Sequence, residues 1–149
     1  MGVVYAPALN EMYFSTDEIG AYMSNSKSYN GFDTLKTNSV KLPQEGLTSK
    51  YTVVASRSHM SSETEDYINE LRAEHGEVEL ISRGSSLKLC MVANGKANCY
   101  PRFAPTMEWD TAAGQAICMH AGFNVLDWKT KKTMLYNRQN LLNNWFLVR

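Results

Sequence analysis

The stretch Trp109-Asp110-Thr111-Ala112-Ala113-Gly114 decides how this chain reads. A carboxylate follows a large aromatic residue and opens a helix of small residues. In the first turn of a helix, free N–H groups and the helix dipole favour negative charge. Ala112, Ala113 and Gly114 keep that end thin, so a ligand or another backbone approaches closely. The arrangement suits a carboxylate that holds a metal ion near a phosphate. It equally suits an acidic cap on a buried helix. The predicted helix runs from Trp109 to Ala121, with Ala112, Ala113, Ala116, Ile117 and His120 on one face and Gly122 past its end. Trp109 reads as the core anchor of the helix start, and Glu108 as solvated.

Working outward, strands and helices alternate. Gly2 to Pro7 and Glu11 to Ser15 read as two strands joined by a Leu-Asn turn, with Gly20 to Met23 as a third. Residues 24–50 are weakly patterned and read as a loop with one edge strand near Ser39 to Leu42. Tyr51 to Ala55 is β-branched and reads as a buried strand. Ser61 or Ser62 caps a helix that runs to His75. Ser62 and Glu65 have capping-box spacing, and Tyr67, Ile68 and Leu71 form the apolar stripe. Glu79 to Ser82 is a short strand. Ser85 or Ser86 then starts a helix with Leu87, Cys90 and Met91 facing the core and Gly95 as its stop. Ala97 to Tyr100, Asn124 to Asp127, Thr133 to Leu135 and Trp145 to Val148 complete the strands. The alternation predicts an α/β fold, a layered mixed sheet with helices.

The chain has 149 residues, which fits one domain with a real core. Fifteen basic and fifteen acidic residues cancel, so no global field draws in polymeric nucleic acid and any phosphate binding is local. No run of about 18 apolar residues marks a membrane span. The first residues lack the pattern of a signal peptide. Cys90, Cys99 and Cys118 form no CxxC pair, which argues against structural zinc and a disulfide framework. They read as buried thiols in a reducing cytoplasm.

Several residues have two readings. Gly84-Ser85-Ser86 before a helix forms an anion site from N–H groups and hydroxyls, with Lys88 adding a point charge. The same residues also describe a capped helix with a solvated lysine. His59, after Ser56-Arg57-Ser58, is a ligand contact or a hydrogen-bonded structural histidine. Arg102 can grip a phosphate bidentately or pack on Tyr100 or Phe103. His75 and His120 carry no assigned role.

The Trp109–Gly114 stretch resembles the second signature of the inositol monophosphatase superfamily. The segments 84–90, 92–95, 100–103, 105–106, 2–7, 56–59 and 141–143 resemble the CysQ-type 3'(2'),5'-bisphosphate nucleotidases, in order along the chain. Residues 24–50 match least. The resemblance implies the later part of an α/β/α/β/α sandwich. It implies Mg²⁺ held in part by Asp110, and a nucleotide bisphosphate contacted by Asp110, Ser85, Ser86, Lys88, Arg102 and His59. Lys88 and Tyr100-Pro101-Arg102-Phe103 favour bisphosphate nucleotides over inositol or sugar phosphates. The family's Asp-Pro-Ile/Leu-Asp-Gly-Thr signature and the Glu-Glu pair before it are not found in this sequence. Residues 1–149 are therefore expected to form a single partial domain that lacks most metal ligands and has little activity alone. A missing N-terminal half, a second chain or a homo-oligomer would complete it. Apolar surface is expected where those layers would pack.

Overall fold

A computed structural model describes residues 1–25, 30–46, 48–56 and 60–149. Strands β1 (Gly2–Ala6), β2 (Glu11–Thr16), β3 (Gly20–Ser24) and β4 (Val40–Lys41) form an antiparallel sheet in that order. A 3-10 turn at Pro7–Leu9 links the first two strands, with Asn10 in the left-handed region. The registers Val4↔Tyr13 and Tyr13↔Met23 place these side chains on one face. They join the core that contains Leu89, Ile117 and Cys118.

The second sheet region is mixed. Strands β5 (Tyr51–Ala55) and β6 (Val78–Ser82) pair in parallel. Strands β7 (Tyr100–Arg102), β9 (Phe146–Val148) and β8 (Val125–Asp127) pair antiparallel in the order β7-β9-β8. A parallel bridge between Val53 and Cys99 links the two groups. Strand alternation divides the side chains between two clusters. Val53 and Leu147 meet Ile68 and Leu71 on one face. Val54, Phe146 and Val148 meet Leu89 and Cys90 on the other.

Helix α3 (Leu87–Ala93) packs on β5 and β7. Helix α4 (Glu108–His120) packs on the first sheet and against α3. A Cβ at Gly2 would collide with the Ala113 carbonyl oxygen and Ala116, so glycine there lets β1 lie flat on α4. Helix α2 (Ser62–His75) covers the other face of the second sheet, and α1 (Phe32–Thr37) lies against β3. Helices α3 and α4 thus lie between the two sheet regions, with α2 on the far face of the second, a layered mixed α/β arrangement.

Several boundaries differ from the sequence reading. Ser61 caps α2, its hydroxyl accepting the Thr64 N–H at 3.3 Å, so the Ser62–Glu65 box does not form. Helix α1 buries no residue and had no apolar stripe to betray it. Strand β7 begins at Tyr100 rather than Ala97, because Cys99 is already engaged by β5. Residues 133–135 form no strand, and the bridge Leu126↔Thr133 stands in its place. Among the described residues, the three cysteines are buried free thiols, and no helix is long and apolar enough to cross a membrane.

Candidate phosphate-binding cavity

Three segments distant in sequence meet at one cavity of about 740 Å³. The loop from β6 into α3 brings Arg83, Gly84, Ser85 and Ser86. Ser85 is in the left-handed region at φ 49°, which turns the chain sharply into α3. Among the described residues neither Ser85 nor Ser86 has a hydroxyl partner.

Lys88 follows on the first turn of α3 and is 6% exposed, so the solvated reading of this lysine is wrong. The helix turns it inward beside Tyr100. Its Nζ donates to the Arg83 carbonyl oxygen at 3.2 Å and lies 5.4 Å from the Tyr100 ring centroid. Burial lowers its pKa, and the charge of Arg102 lowers it further. The Tyr100 hydroxyl is pushed up to about 12 by burial, against the opposing pull of Arg102.

Strand β7 supplies Arg102. Its Nη2 donates to the Pro105 carbonyl oxygen at 3.1 Å, while its buried Nε has no hydrogen-bond partner among the described residues. The arginine is therefore held at one end and open at the other. Helix α4 supplies Asp110 in its first turn, where Oδ2 accepts the Met107 N–H at 2.8 Å. The cap reading of Asp110 thus holds, and the residue also lines the cavity. Arg83, Lys88 and Arg102 face it against this single carboxylate.

The start of α4 corrects two expectations. Trp109 is 67% exposed and Glu108 is 7% exposed, the reverse of the sequence reading. Glu108 turns inward because a partner waits there. Its carboxylate accepts the Asn137 N–H at 2.7 Å and Arg138 Nε at 2.9 Å. Burial alone would raise the Glu108 pKa, but these donors outweigh it and hold the carboxyl below its ordinary value. Asn143 completes the strap, donating to the Met107 carbonyl oxygen at 2.9 Å and to Thr111 Oγ1 at 3.0 Å. The buried side of α4 accordingly carries Thr111, Gly114, Gln115, Ile117 and Cys118 rather than the predicted alanine face, and Ala112 is exposed.

Five of the six predicted contact residues, Ser85, Ser86, Lys88, Arg102 and Asp110, line the same cavity. The sixth, His59, lies outside the described residues. The sequence reading missed Arg83, Tyr100, Thr106 and Thr111 on the cavity wall. Arg83 had a signal, its place directly before the Gly-Ser-Ser turn.

The donor set does not fit a divalent cation by itself. Mg²⁺ binding needs several hard oxygen ligands, and Asp110 is the one carboxylate on the cavity wall. Among the described residues, no three His, Cys, Asp or Glu side chains gather to hold a metal.

Residues 1–147 match the inositol monophosphatase family, and the chain belongs to it. The 3'(2'),5'-bisphosphate nucleotidase CysQ of Salmonella typhimurium is 41% identical over 149 residues, covering 99% of this chain and 54% of that protein. A crystal structure of CysQ from Bacteroides thetaiotaomicron superposes with a TM-score of 0.89 at 46% identity, covering 99% of this chain and 56% of that one. Staphylococcal IMPase-II shares the fold alone, with a TM-score of 0.66 at 16% identity. The chain spans about half the length of the curated relatives it matches.

Proposed function

We propose that this chain forms the substrate-holding part of a 3'(2'),5'-bisphosphate nucleotidase. The complete enzyme would remove the 3'-phosphate of adenosine 3',5'-bisphosphate and leave AMP, recycling a by-product of sulfate assimilation. The observation that carries this reading is the convergence of Ser85, Ser86, Lys88 and Arg102 on one cavity with an excess of positive charge. Lys88 and the open side of Arg102 take phosphate oxygens, and the free serine hydroxyls add hydrogen bonds. The names of the relatives support the nucleotide over an inositol or sugar phosphate.

In this reading residues 1–149 are one part of a larger catalytic domain. Mg²⁺ and the hydrolytic step belong to residues outside this sequence, in a longer chain or a second one. Asp110 would contribute one oxygen to that shared centre. The buried thiols suit the reducing cytoplasm. The single carboxylate also favours a second reading, a nucleotide-binding module with no catalytic duty.

The test is calorimetric titration of the 149-residue chain with adenosine 3',5'-bisphosphate, with and without Mg²⁺, followed by phosphate release on the same samples. Binding without Mg²⁺ and without release is expected. Mg²⁺-dependent release that Asp110→Asn abolishes would overturn the view that this chain alone does not turn over. Absence of binding would overturn the nucleotide assignment itself.

A further inference from the structure

The positive charge of the cavity lies at two depths. Lys88 is buried on α3, and Arg102 is close enough to depress its pKa. Arg83 is exposed on the loop that enters α3. Both groups line one cavity. The Arg83 carbonyl oxygen accepts the Lys88 ammonium at 3.2 Å. One residue thus fixes the inner cation through its backbone and carries the outer cation on its side chain.

The Arg83 guanidinium stands unengaged. The ion pairs among the described residues are Lys50–Glu77, His75–Glu74 and Arg138–Glu108, and none includes it. No hydrogen bond to its side chain exists among those residues either. A single phosphate would meet Lys88 and Arg102 and leave Arg83 unmatched. A ligand with two phosphates on one small scaffold offers an anion to each depth. The planar fork of arginine matches two oxygens of a phosphate, which a lysine cannot do.

We propose that Arg83 is the specificity-determining residue that selects a bisphosphate over the corresponding monophosphate, gripping the second phosphate at the cavity rim. The proposal rests on the nucleotide reading of the cavity and adds to it the group that counts phosphates.

The experiment compares the dissociation constants of adenosine 3',5'-bisphosphate and AMP for the wild-type chain, R83Q and R83K. The wild type should prefer the bisphosphate by roughly tenfold or more. R83Q should weaken bisphosphate binding by about tenfold and AMP binding by less than about twofold. R83K should recover part of the preference, because it keeps the charge and loses the fork. A preference unchanged in R83Q, or equal losses for both nucleotides, would overturn the role of Arg83 while leaving the nucleotide site standing. A wild-type chain that binds neither nucleotide would remove the nucleotide reading and this inference with it.

Discussion

The two walls of the cavity treat polar groups in opposite ways. At the start of α4, Glu108, Arg138 and Asn143 engage one another and the backbone almost completely. Across the cavity, among the described residues, Lys88 donates to one carbonyl oxygen, Arg102 leaves a buried Nε open and the Arg83 side chain makes no hydrogen bond or ion pair. A buried polar group without a partner costs stability. The saturated wall is therefore architecture, and it holds Asp110 and Thr111 in place. The unsaturated wall keeps its donors available for an anion from outside.

The strongest way to break this contrast is Asn143→Ala. The change strips partners from the Met107 carbonyl, Thr111 and the Arg138 guanidinium at once. A loss of about 3 kcal/mol in unfolding free energy is expected by urea titration, because several buried groups lose partners together. A loss below about 0.5 kcal/mol, the size of an ordinary surface substitution, would deny the strap its architectural role.

On the opposite wall, Lys88→Met should act on binding and spare the fold. The affinity for adenosine 3',5'-bisphosphate should fall by about 2 kcal/mol, the scale of a charge-assisted hydrogen bond. Stability should hold or rise, since the buried ammonium has no carboxylate partner among the described residues. Calorimetry and thermal melting together check this. Equal damage to both would make Lys88 part of the architecture.

The smallest effect is a pH dependence. The pKa of Glu108 is lower in the folded chain than its ordinary value of 4.5. Its contribution to stability is complete above that value and disappears as pH falls through it toward the native one. Wild type should therefore lose more stability than Glu108→Gln between about pH 5 and pH 3. Parallel curves for the two chains, measured by urea titration, would mean that the carboxylate is not held by the strap.

Local signals made much of this molecule legible. Gly76 and Gly122 after apolar stripes located the ends of two helices, and β-branched content located β5. The Gly-Ser-Ser turn and Asp110 were readable because their chemistry is local to a helix start. The errors lie where a distant partner decides. Glu108 turns inward because Arg138 lies thirty residues later, and Trp109 turns outward as a result of the same helix rotation. The alternative of a solvated Lys88 stayed open in the sequence because its burial depends on Tyr100 and the chain around it. Helix α1 escaped notice because it buries nothing, so no periodic pattern exists to find.

Strand β1 has one further consequence, for how the protein behaves in concentrated solution. It is the terminal strand of its sheet among the described residues, and Gly2-Val3-Val4-Tyr5-Ala6 carries no charge. Val3 and Tyr5 are about half exposed on its outer side. One rim of its backbone therefore offers unpaired N–H and C=O groups beside an apolar surface, and no lysine or proline within the strand guards it. A sheet edge of this kind is completed by another strand, from the rest of a longer chain or from a neighbouring one. No residue of this strand lines the cavity, so colloidal behaviour and the charge of the cavity are governed by different residues.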